Sequence, residues 1–124
     1  MKIISLHKQR CYIIHPNLNN ESKSISNEML EEISNLTINL DIEILEKKII
    51  KIKKISPSTL IGKGALEEIR NTINSKQIDL LICNFSLTPA QQKNLETNLK
   101  IKVTDRVGII IEIFAKRALS NEGK

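Results

Sequence analysis

The sequence predicts an α/β domain: a small three-layer fold with a mostly parallel four-stranded sheet and helices on both faces, in Rossmann-like order. Three observations predict it. Branched-aliphatic runs alternate with stretches of helical periodicity in the order β-α-β-α-β-α-β-α, which calls for parallel strands joined by right-handed crossovers. The run Asp79 to Phe85 is apolar without alternation, the pattern of a strand covered on both faces. The length of 124 residues suits one domain with one layered core.

The first strand is read at Arg10 to His15, with Pro16 as a hard stop. Asn17 to Ser24 reads as a polar loop. From Ser26 a helix follows, in which Met29, Ile33, Leu36 and Leu40 recur at helical spacing. Glu28, Glu31 and Glu32 lie early in it, where acids suit the positive end of the helix dipole.

Asp41 to Lys54 is rich in β-branched Ile and reads as a long second strand. Its lysines, Lys47, Lys48, Lys51, Lys53 and Lys54, admit two readings. They are a phosphate-facing stripe, or the charge that protects an edge strand from aggregation, and the second is the simpler. After the break at Ser56-Pro57-Ser58, Gly62-Lys63-Gly64 opens a helix whose buried face is Leu66, Ile69 and Ile73. Thr88-Pro89-Ala90-Gln91 carries a full helix start: a capping Thr, Pro at the first helical position and Gln three residues after the cap. That helix runs to about Leu99, and Ile101 to Thr104 is a short strand. Asp105 then caps a last helix. Val107, Ile110, Ile111, Phe114, Ala115 and Ala118 form one apolar stripe there, widened sideways by Ile109 and Ile113. Glu112 and Lys116, four apart, suit an ion pair. The apolar face is wider than one side of a sheet requires, so part of it, around Ile109 and Ile113, is expected to meet a neighbour outside this chain.

The sequence divides into an N-terminal extension over 1–9 and one domain over 10–124, with no repeat or low-complexity segment. The apolar share of 40% and the charged share of 27% exclude a disordered chain. The formal charge of +5 is compatible with phosphate contacts. It is equally what Lys-biased coding produces. No apolar run approaches membrane length, and the first residues are too polar after Leu6 for a signal peptide. A cytoplasmic protein with no membrane partner is therefore expected.

Catalytic chemistry finds little support. Cys11 and Cys83 lie in apolar runs, with no CxxC and no His pair at metal spacing, and read as buried thiols. Gly62-Lys63-Gly64 invites a phosphate-binding reading. A P-loop, however, has Ser or Thr after the Lys, and a dinucleotide fingerprint has a small residue where Glu67 stands. A helix-entry turn is the simpler account, and Gly62, Lys63 and Gly64 stay as weak nucleotide-binding candidates. A phospho-receiver domain shares the alternating order but has acids at the ends of its first and third strands; His15 and Asn84 stand there instead. His7 and His15 show no acidic or cysteine partner. No catalytic residue, metal site or cofactor is assigned.

Three stretches in register carry a family resemblance. Thr59 to Ile69 (TLIGKGALEEI), Leu87 to Glu96 (LTPAQQKNLE), and Val103 to Ala118 with the closing Glu122-Gly123-Lys124 are together similar to the N-terminal domain of HflX-type GTPases. The resemblance covers roughly residues 10 to 124. Two departures stand out: the Thr usual after Asp-Arg is Val107, and an acidic patch usual before Leu-Ser-Pro is Asn84-Phe85-Ser86. In the family the chain continues from Glu-Gly-Lys into a helical hairpin and a GTPase domain that binds GTP and Mg. Neither is expected within these 124 residues, so the chain reads as truncated and non-catalytic by itself.

The resemblance implies a docking domain that faces rRNA on the large ribosomal subunit, in a system that splits or rescues stalled ribosomes. Its partners would be the subunit, the missing hairpin and the GTPase domain. It carries over Gly62, Gly64, Pro89, Gln91, Asn94, Asp105, Arg106, Phe114 and Arg117, most of which serve as turn, cap or core. Lys63, Lys93, Arg106 and Arg117 are the candidate RNA or interdomain contacts. A nucleotide-binding domain and a non-functional remnant of a truncated gene are the alternatives.

Overall fold

A computed structural model gives the fold and describes residues 8–122, with side chains through Leu119. His7, most of the 1–9 extension and the closing Gly123-Lys124 lie outside the described residues. The elements are β1 (Gln9–Asn17), α1 (Lys23–Ile38), β2 (Ile42–Lys51), α2 (Lys63–Lys76), β3 (Leu80–Cys83), α3 (Pro89–Leu99), β4 (Lys102–Asp105) and α4 (Arg106–Glu122). The four strands form one sheet in the order β2-β1-β3-β4, and every neighbouring pair is parallel.

The sheet separates two apolar layers because successive strand side chains point to opposite faces. Tyr12, Ile14, Leu81, Cys83 and Val103 face α2 and α3, where Leu66, Ile69, Ile73, Leu95 and Leu99 meet them. Cys11, Ile13, Leu80 and Ile82 face the other way, against Leu30 and Ile33 of α1 and Ile109 and Ile113 of α4. The central strands β1 and β3 are thus covered on both faces, as the unalternating run around Leu80–Cys83 predicts. With few aromatics in the chain, Ile and Leu fill both layers.

Several boundaries differ from expectation for identifiable reasons. β1 does not stop at Pro16 but continues to Asn17, paired with β2. In a parallel ladder a residue directs its N–H and C=O to one side. Ile14 bonds toward β3, accepting from Asn84 N at 2.9 Å. Pro16 has the same parity, and β3 has already ended at Cys83, so the absent N–H of Pro16 is not missed. β2 carries a bulge: Cys11 pairs with Ile44 and Tyr12 with Glu46, leaving Leu45 extra. It is an edge strand, as its lysine content predicts.

α1 begins three residues before the predicted Ser26, because Ser22 caps it by accepting from Ile25 N at 3.1 Å. Its first turn therefore contains no acid, and the expected match of Glu28, Glu31 and Glu32 to the helix dipole does not apply. The capping box of α3 forms as read: Thr88 Oγ1 accepts from Gln91 N at 3.1 Å, and Gln91 Oε1 accepts from Thr88 N at 3.0 Å.

α4 is rotated relative to expectation. Ile109 and Ile113, read as the sideways extension and as the face awaiting an outside neighbour, are instead the residues buried against this domain's own sheet. Val107, Ile111 and Phe114 of the predicted stripe point outward, 46%, 59% and 63% exposed. Nor do Glu112 and Lys116 pair. Lys116 Nζ instead donates to Asn39 O at 2.6 Å, a cation placed on the open carbonyls at the end of α1.

Candidate functional site

Every helix of this fold starts beyond the carboxyl end of a strand, so one edge of the sheet gathers four helix N-termini and the loops that lead into them. Open α/β sheets bind ligands at this edge, at the point where strand order reverses. Here that point lies between β1 and β3, and it is filled by the protein's own side chains.

His15, at the end of β1, is buried. Asn84 follows β3, and its amide nitrogen donates to His15 Nδ1 at 3.0 Å and to Met29 O at 3.2 Å. An amide nitrogen can only donate, so Nδ1 is the acceptor and the ring carries its proton on Nε2. Nε2 donates to Glu21 Oε1 at 2.9 Å, and Ser26 Oγ donates to the same oxygen at 2.6 Å. The Ser26 hydroxyl first, and His15 second, hold the Glu21 carboxyl below its ordinary value. Asn17 clasps the loop, accepting from Glu21 N at 3.0 Å and donating to Glu21 O at 2.9 Å. Among the described residues, Asn84 Oδ1 is buried without a hydrogen-bond partner.

The sequence showed no acidic partner for His15; the structure supplies Glu21, six residues on. The available signal was the polar loop following a strand, in which Asn17 and Glu21 bracket a reversal. Asn19 and Asn20 turn the chain there in the left-handed region, at φ 58° and 52°. The buried His15 has both ring nitrogens committed, so it serves as a structural plug and presents no general base.

The glycine turn places Gly62 as the extended N-cap of α2, with no side-chain cap, and Lys63 and Gly64 as its first helical residues. Neither glycine has a positive φ, and a Cβ at either would meet nothing within 4 Å. The turn is exposed. The 124 residues contain no Gly-x4-Gly-Lys-Ser/Thr sequence. Both thiols are buried, and burial pushes Cys11 and Cys83 up to about 12. Among the described residues no group of His, Cys, Asp or Glu is placed to hold a metal ion, and no helix is long and apolar enough to cross a membrane.

The four basic candidates do not form one site. Lys63 and Arg106 open α2 and α4, and Lys93 lies on the second turn of α3, all toward the carboxyl edge. Arg117 lies far along α4. Arg106 is committed to Glu32 of α1 at 2.8 Å, while Lys63, Lys93 and Arg117 are exposed and make no ion pair within 4 Å among the described residues. The β2 lysines divide as well. Lys47 lies 3.7 Å from Glu31, and Lys48 pairs with Glu68. Lys51, and Lys53 and Lys54 just beyond the strand, pair with nothing described. Asp105 accepts from Gly108 N at 2.9 Å and Leu87 N at 2.8 Å, so it caps α4 and ties down the loop after β3. Asn94 ties α3 to the Ser58 carbonyl at 3.0 Å.

Residues 27–115 match the family model of the GTP-binding GTPase N-terminal region. The chain is 40% identical over 95 residues to GTPase HflX of Magnetococcus marinus, and 43% identical over 96 residues to that of Caldanaerobacter subterraneus. Each alignment covers 77% of this chain and 22% of the relative. The chain belongs to the HflX GTPase N-terminal family. The HflX of Escherichia coli K12 is 33% identical over 97 residues, 78% of this chain and 23% of that protein. Among solved structures, a GTP-binding protein from Sulfolobus solfataricus in complex with GDP superposes with a TM-score of 0.62 at 25% identity. That superposition covers 86% of this chain and 30% of the other. The chain thus spans less than a quarter of the length of these HflX relatives, and what they share with it is the N-terminal domain.

Proposed function

We propose that this HflX-type domain is a non-catalytic docking module that faces rRNA on the large ribosomal subunit, in a cytoplasmic system that splits or rescues stalled ribosomes. GTP and Mg belong, on this reading, to the GTPase domain of the longer relatives. The observation that carries it is a contrast. The place where such folds bind small ligands is plugged by His15, Glu21 and Asn84, while lysines outside it stand exposed and without an ion pair among the described residues. At this edge the domain offers a surface, not a cleft.

The outward stripe Val107, Ile111 and Phe114 supports a second contact on the same reading. It is the apolar face against which the helical hairpin of the longer relatives would pack. The deciding experiment sediments the 124-residue chain with large ribosomal subunits through sucrose at rising salt. Co-sedimentation at low salt that weakens steeply as salt rises is the expected result. A chain that stays at the top of the gradient at the lowest salt removes the docking role from this domain.

A further inference from the structure

We infer that the RNA-facing surface is the β2 corner of the carboxyl edge, built from Lys23, Lys51, Lys53, Lys54 and Lys63, and that its ligand is the RNA phosphate backbone. The inference rests on the docking reading above and names the face that would carry it.

The topology assembles this corner from separate segments. Lys51 ends β2, and Ile52 N bonds to Asn17 O at 2.9 Å, which fixes the next residues against the end of β1. Lys23 opens α1 and shares with Lys51 a surface hollow, lined also by Asn17, Asn20, Glu21 and Ile49. Lys53 and Lys54 follow in the bend, and Lys63 opens α2. All five are exposed and form no ion pair among the described residues.

Half of the acids around them are paired with cations outside the corner. Glu31 is held by Lys47, Glu68 by Lys48 and Glu32 by Arg106, while Glu21 is hydrogen-bonded by the neutral His15 and Ser26, leaving Glu21, Glu28 and Glu67 without a cation among the described residues. The N-termini of α1 and α2 add their partial positive charge at this corner. The opposite edge is mixed: Lys8, Lys100 and Lys102 stand there with Asp41, Glu43 and Asp79.

A row of exposed, unpaired lysines with no aromatic neighbour contacts phosphates, not bases. Its binding is therefore sequence-tolerant and salt-dependent, unlike that of a groove with stacking side chains. The paired Lys47 and Lys48 keep β2 itself protected as an edge, so the two readings of the lysine run apply to different lysines.

The test compares K51Q/K53Q/K54Q with K8Q/K100Q/K102Q, which removes the same charge from the opposite edge. Large-subunit affinity and its salt dependence are measured for each variant and for the unaltered chain. Binding to protein-free rRNA is measured beside it. The corner variant is expected to lose at least about tenfold in affinity. Its salt slope should fall by about two, since each phosphate that a lysine neutralises contributes roughly 0.7 to 0.9 to that slope. The opposite-edge variant keeps both within about twofold, and K51R/K53R/K54R restores binding, which separates lost charge from lost folding. If both Gln variants weaken equally, the effect is net charge and the corner is not the site. Unaltered affinity of the corner variant, with the parent chain still bound, overturns the assignment and leaves docking intact. Failure of the parent chain to bind subunits overturns both. Loss on subunits with no binding to protein-free rRNA makes the partner an acidic ribosomal protein, and the RNA assignment fails.

Discussion

Glu21 shows how one carboxylate serves the fold. Two donors, the Ser26 hydroxyl and His15 Nε2, favour its charged form and lower its affinity for protons. In the unfolded chain Glu21 titrates near the ordinary value of 4.5. A folded value below this means the stability it contributes is complete above about 4.5 and is lost as pH falls through the folded value. Glu21→Gln should therefore melt below the parent at neutral pH, and the gap between them should close as pH falls below 4.5. Thermal denaturation followed by circular dichroism across pH 3 to 7 checks this, and a gap that widens in acid contradicts it. The cysteines give a second residue-scale outcome. Burial holds Cys11 and Cys83 protonated at neutral pH, so a thiol reagent should label neither in the native protein and both after unfolding.

At the scale of elements, α4 separates what periodicity reveals from what it conceals. A 3.6-residue pattern marks which residues of a helix are apolar, but in a helix apolar over much of its circumference it does not say which side meets the sheet. The sheet settles the matter through Gly108. A Cβ there would sit 2.1 Å from Thr104 Oγ1, so the glycine lets the first turn of α4 approach β4 and sets the rotation that buries Ile109 and Ile113. Gly108→Ala should destabilise the protein in the presence of Thr104. In a Thr104→Ala background the same change should be neutral or stabilising, because Ala is favoured over Gly within a helix by about 1 kcal/mol. A double-mutant cycle by urea denaturation reads the difference.

The rotation also predicts unequal responses to truncation. Ile109→Ala should cost about 2–5 kcal/mol as a core deletion, and Phe114→Ser, on the outward stripe, within about 0.5 kcal/mol. Lys116 teaches the same lesson on the polar side: spacing offered Glu112, and the tertiary fold offered the end of α1. The α3 capping box was fully legible, because all its partners lie within four residues of one another. Leu60 was not. It is buried at φ 71° and held by reciprocal backbone bonds with Ser56, and nothing in an apolar residue announces a left-handed backbone.

For the molecule as a whole, the two apolar layers share the strands between them. Alternate residues of β1 and β3 belong to opposite layers, so neither layer can be lost while the other keeps its sheet. Ile33→Ala and Ile69→Ala, on opposite faces, should each lower a single cooperative transition. Helix signal and exposure of the two thiols should then change together, whichever face is weakened. An unfolding intermediate that keeps one thiol protected would show the layers to be independent.

The amino-acid sequence by itself determined the order of elements, the parallel fold class, the edge position of the lysine-rich strand, the α3 cap and the family to which the chain belongs. Each of these follows from local periodicity, from partners within a few residues, or from stretches kept in register. Tertiary structure alone decided which face of α4 is buried, that Pro16 lies within a strand, and which lysines are left unpaired. It also decided that His15 has Glu21 and Asn84 for partners, Asn84 lying 69 residues away. These depend on where the sheet places distant segments, and the physical reason is that a side chain's environment is set by its spatial neighbours. Hydrogen bonding and burial act over a few ångströms in space, while the sequence records only distance along the chain.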